Sequence, residues 1–557
     1  MKRKLRSNLE RGSTVWAGRR AQWRALGLSE ADMEKPKIAV VNSSSELSSC
    51  FSHLDGVARA AKEAIRAAGG LPFEIRTAAP SDFVTCAGRR GGYILPTRDL
   101  ITNDIEVQVE GALLDGMLCL ASCDKTAPGG HELAAGRLNI PTIVVVCGYQ
   151  QSGEYKGAHV DIEEVFLKAG YFASGGITLE DLTGMADNAV RSPGVCAGMG
   201  TANSMHIVCE TLGMALPGAA PVLANSARMM DYVRRSGERI VQMVWDDYKP
   251  RDIMSAGSIA NAAMIVLALS GSINCVKHLQ AIAHESGIDV DVYALFQEYA
   301  EKVPLLAAIR PNGDGRIEEL EAAGGARAVM KRLEALLHKD ARSVAGTTVK
   351  DILDSTSVRE DGVICSLEHP LSRRPSIVIV RGSLLPGGGI VRQGGAGARM
   401  TSFRGPANIF HSREEALEAI KRNAVKPGEV LVLRGLGVRG GPGLAMTSAV
   451  VFALDGAGLI DRVAMITEGQ LSGLVNKGLV VGEASPEAAD GGPLALLDQG
   501  DLISLDVEKR EVNLEVSAAV LEARSKEKRV FGAQDVPGYL GLYQRLVQPV
   551  HKGATLT

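Results

Sequence analysis

The chain has 557 residues, 46% hydrophobic and 22% charged, with a net charge of −3. That length exceeds one core, so two or three domains are expected. A nearly balanced charge excludes an electrostatic footprint for nucleic acid or an anionic membrane. Nine cysteines, an odd number at irregular spacing, argue against a disulfide framework.

The basic N-terminus, Met1-Lys-Arg-Lys, lacks the apolar stretch of a secretory signal. Residues 14–27 have helical periodicity and end on Gly27, and Pro36–Val41 reads as a buried strand. A polar loop follows, carrying Cys50 and His53, then a helix over 54–68 and a short strand at Phe73–Arg76. Met117–Ala121 reads as a buried strand and Glu132–Arg137 as the start of a helix. Further on come a strand at Ile143–Val146 and helices at Ile162–Ala169 and Ser204–Leu216. Strand alternating with helix predicts a doubly wound N-terminal α/β domain. Residues 225–340 read as mainly helical, and the apolar run Ile259–Leu269 is too short to span a bilayer. The expectation is a cytoplasmic protein.

After about 345 the texture changes. Short β-rich runs at 376–380, 429–433, 462–466, 502–505 and 511–515 are separated by Gly-, Pro- and Asp-rich turns. They predict a C-terminal β-barrel-type domain. The division is an α/β domain over 1–355 and a barrel domain over 370–557.

Three loops share a layout in which a cysteine stands beside small residues: Ser48–His53 with Cys50, Ser122–Lys125 with Cys123, and Val195–Asn203 with Cys196. Three thiolates converging from separate loops would hold an iron–sulfur cluster and leave one iron without a protein ligand. The plainer reading of each is a core thiol. In Cys123-Asp124-Lys125 the thiolate suits soft iron and the carboxylate suits hard magnesium. Ser472 sits in a glycine-flanked turn after a strand, where its hydroxyl would either face a cleft or satisfy turn backbone. Two further motifs mislead. Gly435-Leu-Gly-Val-Arg-Gly440 matches a dinucleotide fingerprint, but Gly441-Pro-Gly443 breaks the helix it requires. Arg310-Pro-Asn-Gly-Asp-Gly315 resembles a calcium loop with a cation at the first ligand position.

Taken together, the segments resemble the dihydroxy-acid and sugar-acid dehydratase family. The resemblance runs through Cys50 with His53-Leu54, Tyr93–Arg98, Cys123-Asp-Lys125, Arg137–Pro141 and Cys196–Asn203 with Leu212–Gly218. In the second domain it takes in Phe403–Ala407, Gly440–Gly443, Leu471–Gly473 and Ser485–Pro493. It implies that Cys50, Cys123 and Cys196 bind a [2Fe-2S] or [4Fe-4S] cluster. By the same resemblance Asp82, Asp124 and Lys125, the last as its carbamate, would bind Mg2+, and Ser472 would accept a proton. The implied reaction converts a 2,3-dihydroxy acid, branched-chain or sugar acid, to a 2-keto acid, in a homodimer or homotetramer. No nucleic acid or membrane partner is implied.

Two departures from the family pattern stand out. The glycine-proline-glycine turn is followed by Leu444-Ala-Met-Thr-Ser448, with no carboxylate, and Arg89-Arg90 stand where many members are acidic. His131 and Glu132 are candidates to compensate for the lost carboxylate. Arg89 and Arg90 suggest a more anionic substrate, and the lost Glu suggests a non-catalytic paralogue that keeps the cluster.

Overall fold

β1 (Lys37–Asn42), β3 (Gly116–Ala121) and β4 (Thr142–Val146) are buried at every position. Continuous apolar runs of this kind suit strands covered by helices on both faces. The computed structural model, which describes residues 3–173, 175–394, 399–527 and 529–556 (without the side chains of residues 90, 128, 129 and 173), joins them with β2 (Leu71–Arg76) in the order β2-β1-β3-β4. All pairings are parallel. From β1 the chain steps to β2 on one side, then returns to the other side at β3. The reversal between β1 and β3 is a topological switch point, where open α/β sheets bind ligands beyond the carboxyl ends of the strands.

The helix Leu54–Ala67 packs against Ala227–Asp246, burying Val57, Ala58, Ala61 and Ile65 at helical spacing. The helix Glu132–Leu138 packs on both Ile94–Gly111 and Asn274–Ser286. Ile94–Gly111 escapes a sequence reading because Pro96 falls inside it. A proline is tolerated in a first turn, where its missing N–H has no helical acceptor. A small hairpin, β5 (Gly153–Tyr155) and β6 (Ala158–Val160), follows the sheet. No helix among the described residues is long and apolar enough to cross a membrane.

The second sheet comprises β7 (Ile377–Val380), β8 (Gly388–Arg392), β9 (Ser402–Phe410), β10 (Val430–Leu433), β11 (Ala464–Thr467), β12 (Val480–Ser485), β13 (Leu502–Asp506) and β14 (Glu511–Leu514). Their order is β14-β13-β9-β10-β11-β12-β8-β7. A bridge between Arg381 and Glu511 joins the two edges, with the Arg381 N–H donating to the Arg510 carbonyl at 2.9 Å. The sheet is thus a nearly closed barrel, which leaves few free edges. Side chains alternate across it. Val378, Val380, Val430, Val432, Ala464 and Ile466 fill the interior, while Ile377, Ile379, Leu431, Leu433 and Met465 face the larger core shared with the first domain. Strands β8, β9 and β12 were not legible in the sequence. Gly388, Gly389, Pro406 and Gly482 lower their strand propensity, and tertiary pairing overrides it.

Candidate active site

The loops after β1 and β3 face each other across the switch point and carry Cys50 and Cys123, both buried. The Ser122 hydroxyl donates to the Cys50 carbonyl and ties the two loops together. Cys196 comes from farther along the chain. Val195 bridges Tyr149, just beyond β4, and the Gly194 N–H donates to the Ser49 carbonyl at 3.2 Å. Cys50 and Cys123 are hydrogen-bonded: that bond pulls the Cys50 thiol down to about 7 and holds Cys123 well above the ordinary range. Burial, with the negative charge of Cys50 next, pushes Cys196 well up too. The thiols of Cys50 and Cys123 thus adjoin each other, and Cys196 is near enough to feel the charge of Cys50. His53 is spent elsewhere, its Nε2 lying 2.8 Å from the Cys147 carbonyl.

One cavity is lined by Asp82, Asp124, Cys123, Cys196, Ser472 and Gly473. Asp82 opens the short helix Asp82–Thr85, and its Oδ1, like Asp124 Oδ1, is buried without a hydrogen-bond partner. Lys125 is buried and paired with Asp124. Burial pushes its ammonium down to about 8, against the opposing pull of Asp82. Burial also raises the Asp82 carboxyl, an effect offset by Lys125 and Lys277. Phe83, Phe166, Met446 and Leu474 form an apolar wall, with Phe166 edge-on to Phe83 at 5.4 Å and to Phe452 at 5.5 Å.

Ser472 reaches this cavity from the barrel. Its turn follows β11 and is aligned by a parallel bridge between Met446 and Gln470. The Ser472 N–H donates to Ser448 Oγ at 2.6 Å, and Ser472 Oγ accepts from the Leu474 N–H at 3.2 Å. Glycine is needed at 473 because a Cβ there would stand 2.7 Å from Ser272 Oγ and 2.9 Å from the Thr201 nitrogen. Arg392, on β8, donates to the carbonyls of Gly473 and Ser270. Asn274 Nδ2 donates to the Leu471 carbonyl at 3.2 Å. Behind them lies a fully buried ion pair between Lys277 of the first domain and Glu483 of the barrel. These contacts span the two halves and seat the serine turn.

Several sequence expectations change here. His131 and Glu132 do not line the cavity; Glu132 is buried beside Cys209 and His131 lies beside His206. A widened π-type turn over Thr126–His131 directs them away, so they cannot replace the missing carboxylate. Arg89 is exposed and lines a different groove, with His411, Gly435 and Leu540. The more anionic substrate read from it loses its basis; the Arg90 side chain lies outside the described residues. Four amides of the Gly435–Gly440 loop are already taken by carboxylates of the chain itself. Gly435 and Leu436 donate to Glu468, and Arg439 and Gly440 donate to Glu487.

Glu163, in the first turn of Ile162–Ala173, lines the cavity and was not anticipated. An acidic residue in a first helical turn reads as a partner of the helix dipole, so the sequence carries no further signal. Lys277, Glu483 and Arg392 were invisible for the same kind of reason: single charges in apolar runs declare no partner.

The chain matches known proteins in two consecutive segments. Residues 35–352 match the family model for the dihydroxy-acid/6-phosphogluconate dehydratase N-terminal domain, and residues 362–554 match that for the C-terminal domain. The chain belongs to the dihydroxy-acid/6-phosphogluconate dehydratase family. As a family member it is a hydro-lyase. It is 39% identical to the dihydroxy-acid dehydratase of Methanococcoides burtonii, over 99% of this chain and 100% of the relative. It is 37% identical to the dihydroxy-acid dehydratase of Methanosarcina barkeri and to dihydroxy-acid dehydratase 1 of Methanosarcina acetivorans, each over 99% of both chains.

Among the described residues no three His, Cys, Asp or Glu side chains stand close enough to hold a single metal ion. The dehydratase's neighbouring thiols suit a polynuclear cluster, whose sulfur ligands are spread over several irons. The two unpartnered carboxylate oxygens, Asp82 Oδ1 and Asp124 Oδ1, suit a hard cation that also takes an oxygen donor of another kind. Burial lowers the Lys125 ammonium to about 8, which eases loss of the proton that a carbamate requires.

Proposed function

We propose that the protein removes water from a 2,3-dihydroxy carboxylic acid to give a 2-keto acid, using an iron–sulfur cluster on Cys50, Cys123 and Cys196 and Mg2+ on Asp82, Asp124 and carbamylated Lys125. The observation that carries this reading is a cavity lined by Cys123, Cys196 and Ser472 together, with Cys50 beside Cys123 at its back. When bound, the cluster would supply a Lewis-acidic iron for the leaving hydroxyl, and magnesium would anchor the carboxylate and acidify the C2 proton.

The chain's own residues do the rest. Ser472 Oγ accepts one backbone hydrogen bond; as the alkoxide, stabilised by a neighbouring bound cation, it would take the C2 proton and become the neutral hydroxyl. Its turn is fixed by Arg392, Asn274 and Gly473, which hold the oxygen in place before substrate arrives. The wall of Phe83, Phe166, Met446 and Leu474 keeps water from the reacting carbons. Met446 stands in the turn where the sequence lacks a carboxylate, so the magnesium shell on the protein side rests on Asp82, Asp124 and Lys125. Nine free thiols suit a reducing, cytoplasmic compartment.

The test is anaerobic cluster reconstitution followed by a keto-acid assay over branched-chain dihydroxy acids and sugar acids, with and without magnesium. Keto acid that needs both iron–sulfide and magnesium supports the reading. A fully loaded protein that yields none from any acid would leave a non-catalytic, cluster-binding role.

A further inference from the structure

Glu163 is a charged cavity group that the proposed reaction leaves unused. Its Oε1 accepts the Gly198 N–H at 3.0 Å, while Oε2 is buried with no partner. The acids flanking it are satisfied. Asp161 accepts the Glu164 N–H at 2.7 Å, and Arg310 spans Asp161 at 3.2 Å and Glu164 at 3.1 Å. Glu163 receives no such cation. The buried guanidinium of Arg392, close enough to act on it electrostatically, donates to backbone carbonyls instead.

A second orphan stands on the other side of the same glycine. Asn203 Nδ2 donates to the carbonyls of Cys196 at 2.7 Å and Gly198 at 2.8 Å, leaving Oδ1 buried and unpartnered. Gly198 is thus gripped by Glu163 at its N–H and by Asn203 at its carbonyl, and both side chains line the cavity. The absence of a side chain at 198 is what admits Glu163, since a Cβ there would overlap Oε2. A buried polar group left unmade costs about 1–3 kcal/mol, and these two side chains line the cavity together with the apolar Phe83, Phe166 and Leu474.

From this geometry we propose that Glu163 and Asn203 form a subsite that hydrogen-bonds a hydroxyl on the substrate's carbon chain beyond C3, so that this dehydratase selects a polyhydroxylated acid over its alkyl counterpart. The inference rests on the dehydratase reading above and narrows its substrate. A neutral hydroxyl fits better than an ammonium because Arg392 already places a cation nearby, and a hydroxyl can donate to either orphan oxygen. A site built to hydrogen-bond a substrate hydroxyl discriminates strongly against the analogue that lacks it, because its own buried groups are then left unpaired.

The experiment compares pairs of 2,3-dihydroxy acids that differ only in one added hydroxyl beyond C3. The expected wild-type preference for the hydroxylated member is at least about 100-fold in kcat/KM. Glu163→Leu should bring that ratio to within about tenfold, and Glu163→Gln, which keeps the shape and a hydrogen-bonding oxygen, should retain most of it. Gly198→Ala, which displaces an intact Glu163, should behave like Glu163→Leu. Cluster absorbance and thermal midpoint, measured on each variant, separate a changed subsite from a damaged fold. A wild-type preference for the alkyl acid, or a ratio that Glu163→Leu does not move, overturns the proposal.

Calorimetric binding of analogues lacking the leaving hydroxyl keeps the two readings apart. Tighter binding of the hydroxylated analogue that vanishes in Glu163→Leu, without keto acid from any substrate, would sustain the subsite and sink the dehydration. Equal binding of both analogues would sink the subsite alone.

Discussion

Lys277→Met is the sharpest test of how the two halves hold together. Lys277 and Glu483 are both fully buried and paired, and Lys277 also donates to Asn274 Oδ1 at 2.5 Å. Two unit charges within about 4 Å attract by about 4 kcal/mol at an effective dielectric near 20. Removing the cation strands a carboxylate whose other oxygen, Oε2, already lacks a partner. Breaking a buried pair from one side costs about 3–5 kcal/mol, mostly as the penalty on the abandoned charge. Urea unfolding followed by circular dichroism should show a loss of that size. The double variant Lys277→Met/Glu483→Leu should recover most of it, since apolar groups of similar volume can replace a buried pair at little cost. A single variant within about 1 kcal/mol of wild type, or a double variant no better than the single, would refute the reasoning.

Ser472→Ala should lower kcat by about 10²–10⁴-fold, the usual range for a lost proton acceptor, with iron content unchanged; parallel loss of iron would mean the serine supports the fold instead. Gly473→Ala forces a methyl against Ser272 and the Thr201 nitrogen, so about 1–3 kcal/mol of stability should go; an undisturbed midpoint in a denaturation curve would contradict it. Stability should also fall as pH rises from about 4.5 to 7 through Glu468. Burial raises its carboxyl to about 7, so the folded state holds a proton that the unfolded chain has released. Its contribution is fully present below about 4.5 and is lost as pH passes 7, at up to about 1.4 kcal/mol per pH unit. Glu468→Gln should remove that component, and an unchanged pH profile would show that another group carries it.

The parallel sheet was legible because β1, β3 and β4 are continuous apolar runs, a signal that survives without any neighbour. The cysteine loops were legible as candidates for a related reason, each following such a run or a glycine turn. Strands β8, β9 and β12 were not, because their Gly and Pro residues are tolerated only once partners on both sides fix the backbone. The misassignment of His131 and Glu132 has a local cause: the widened turn over 126–131 rotates both away from the cavity, a change of phase that composition does not encode. Arg89 was misjudged because proximity in sequence to Asp82 does not make a side chain share its cavity.

By itself, the sequence determined the chemistry on offer: three thiols, two carboxylates, a lysine and a serine, singled out by turn signals and by the family resemblance. Only the tertiary structure decided which of them meet. Strand order placed Cys50 and Cys123 on either side of the switch point, and barrel closure carried Ser472 to the seam. Folding also put the unpartnered oxygen of Glu163 into the same cavity. The physical reason is one of range. Periodicity and turn chemistry act over a few residues, whereas a site is built from contacts between residues hundreds apart, and those are settled by which faces pack together.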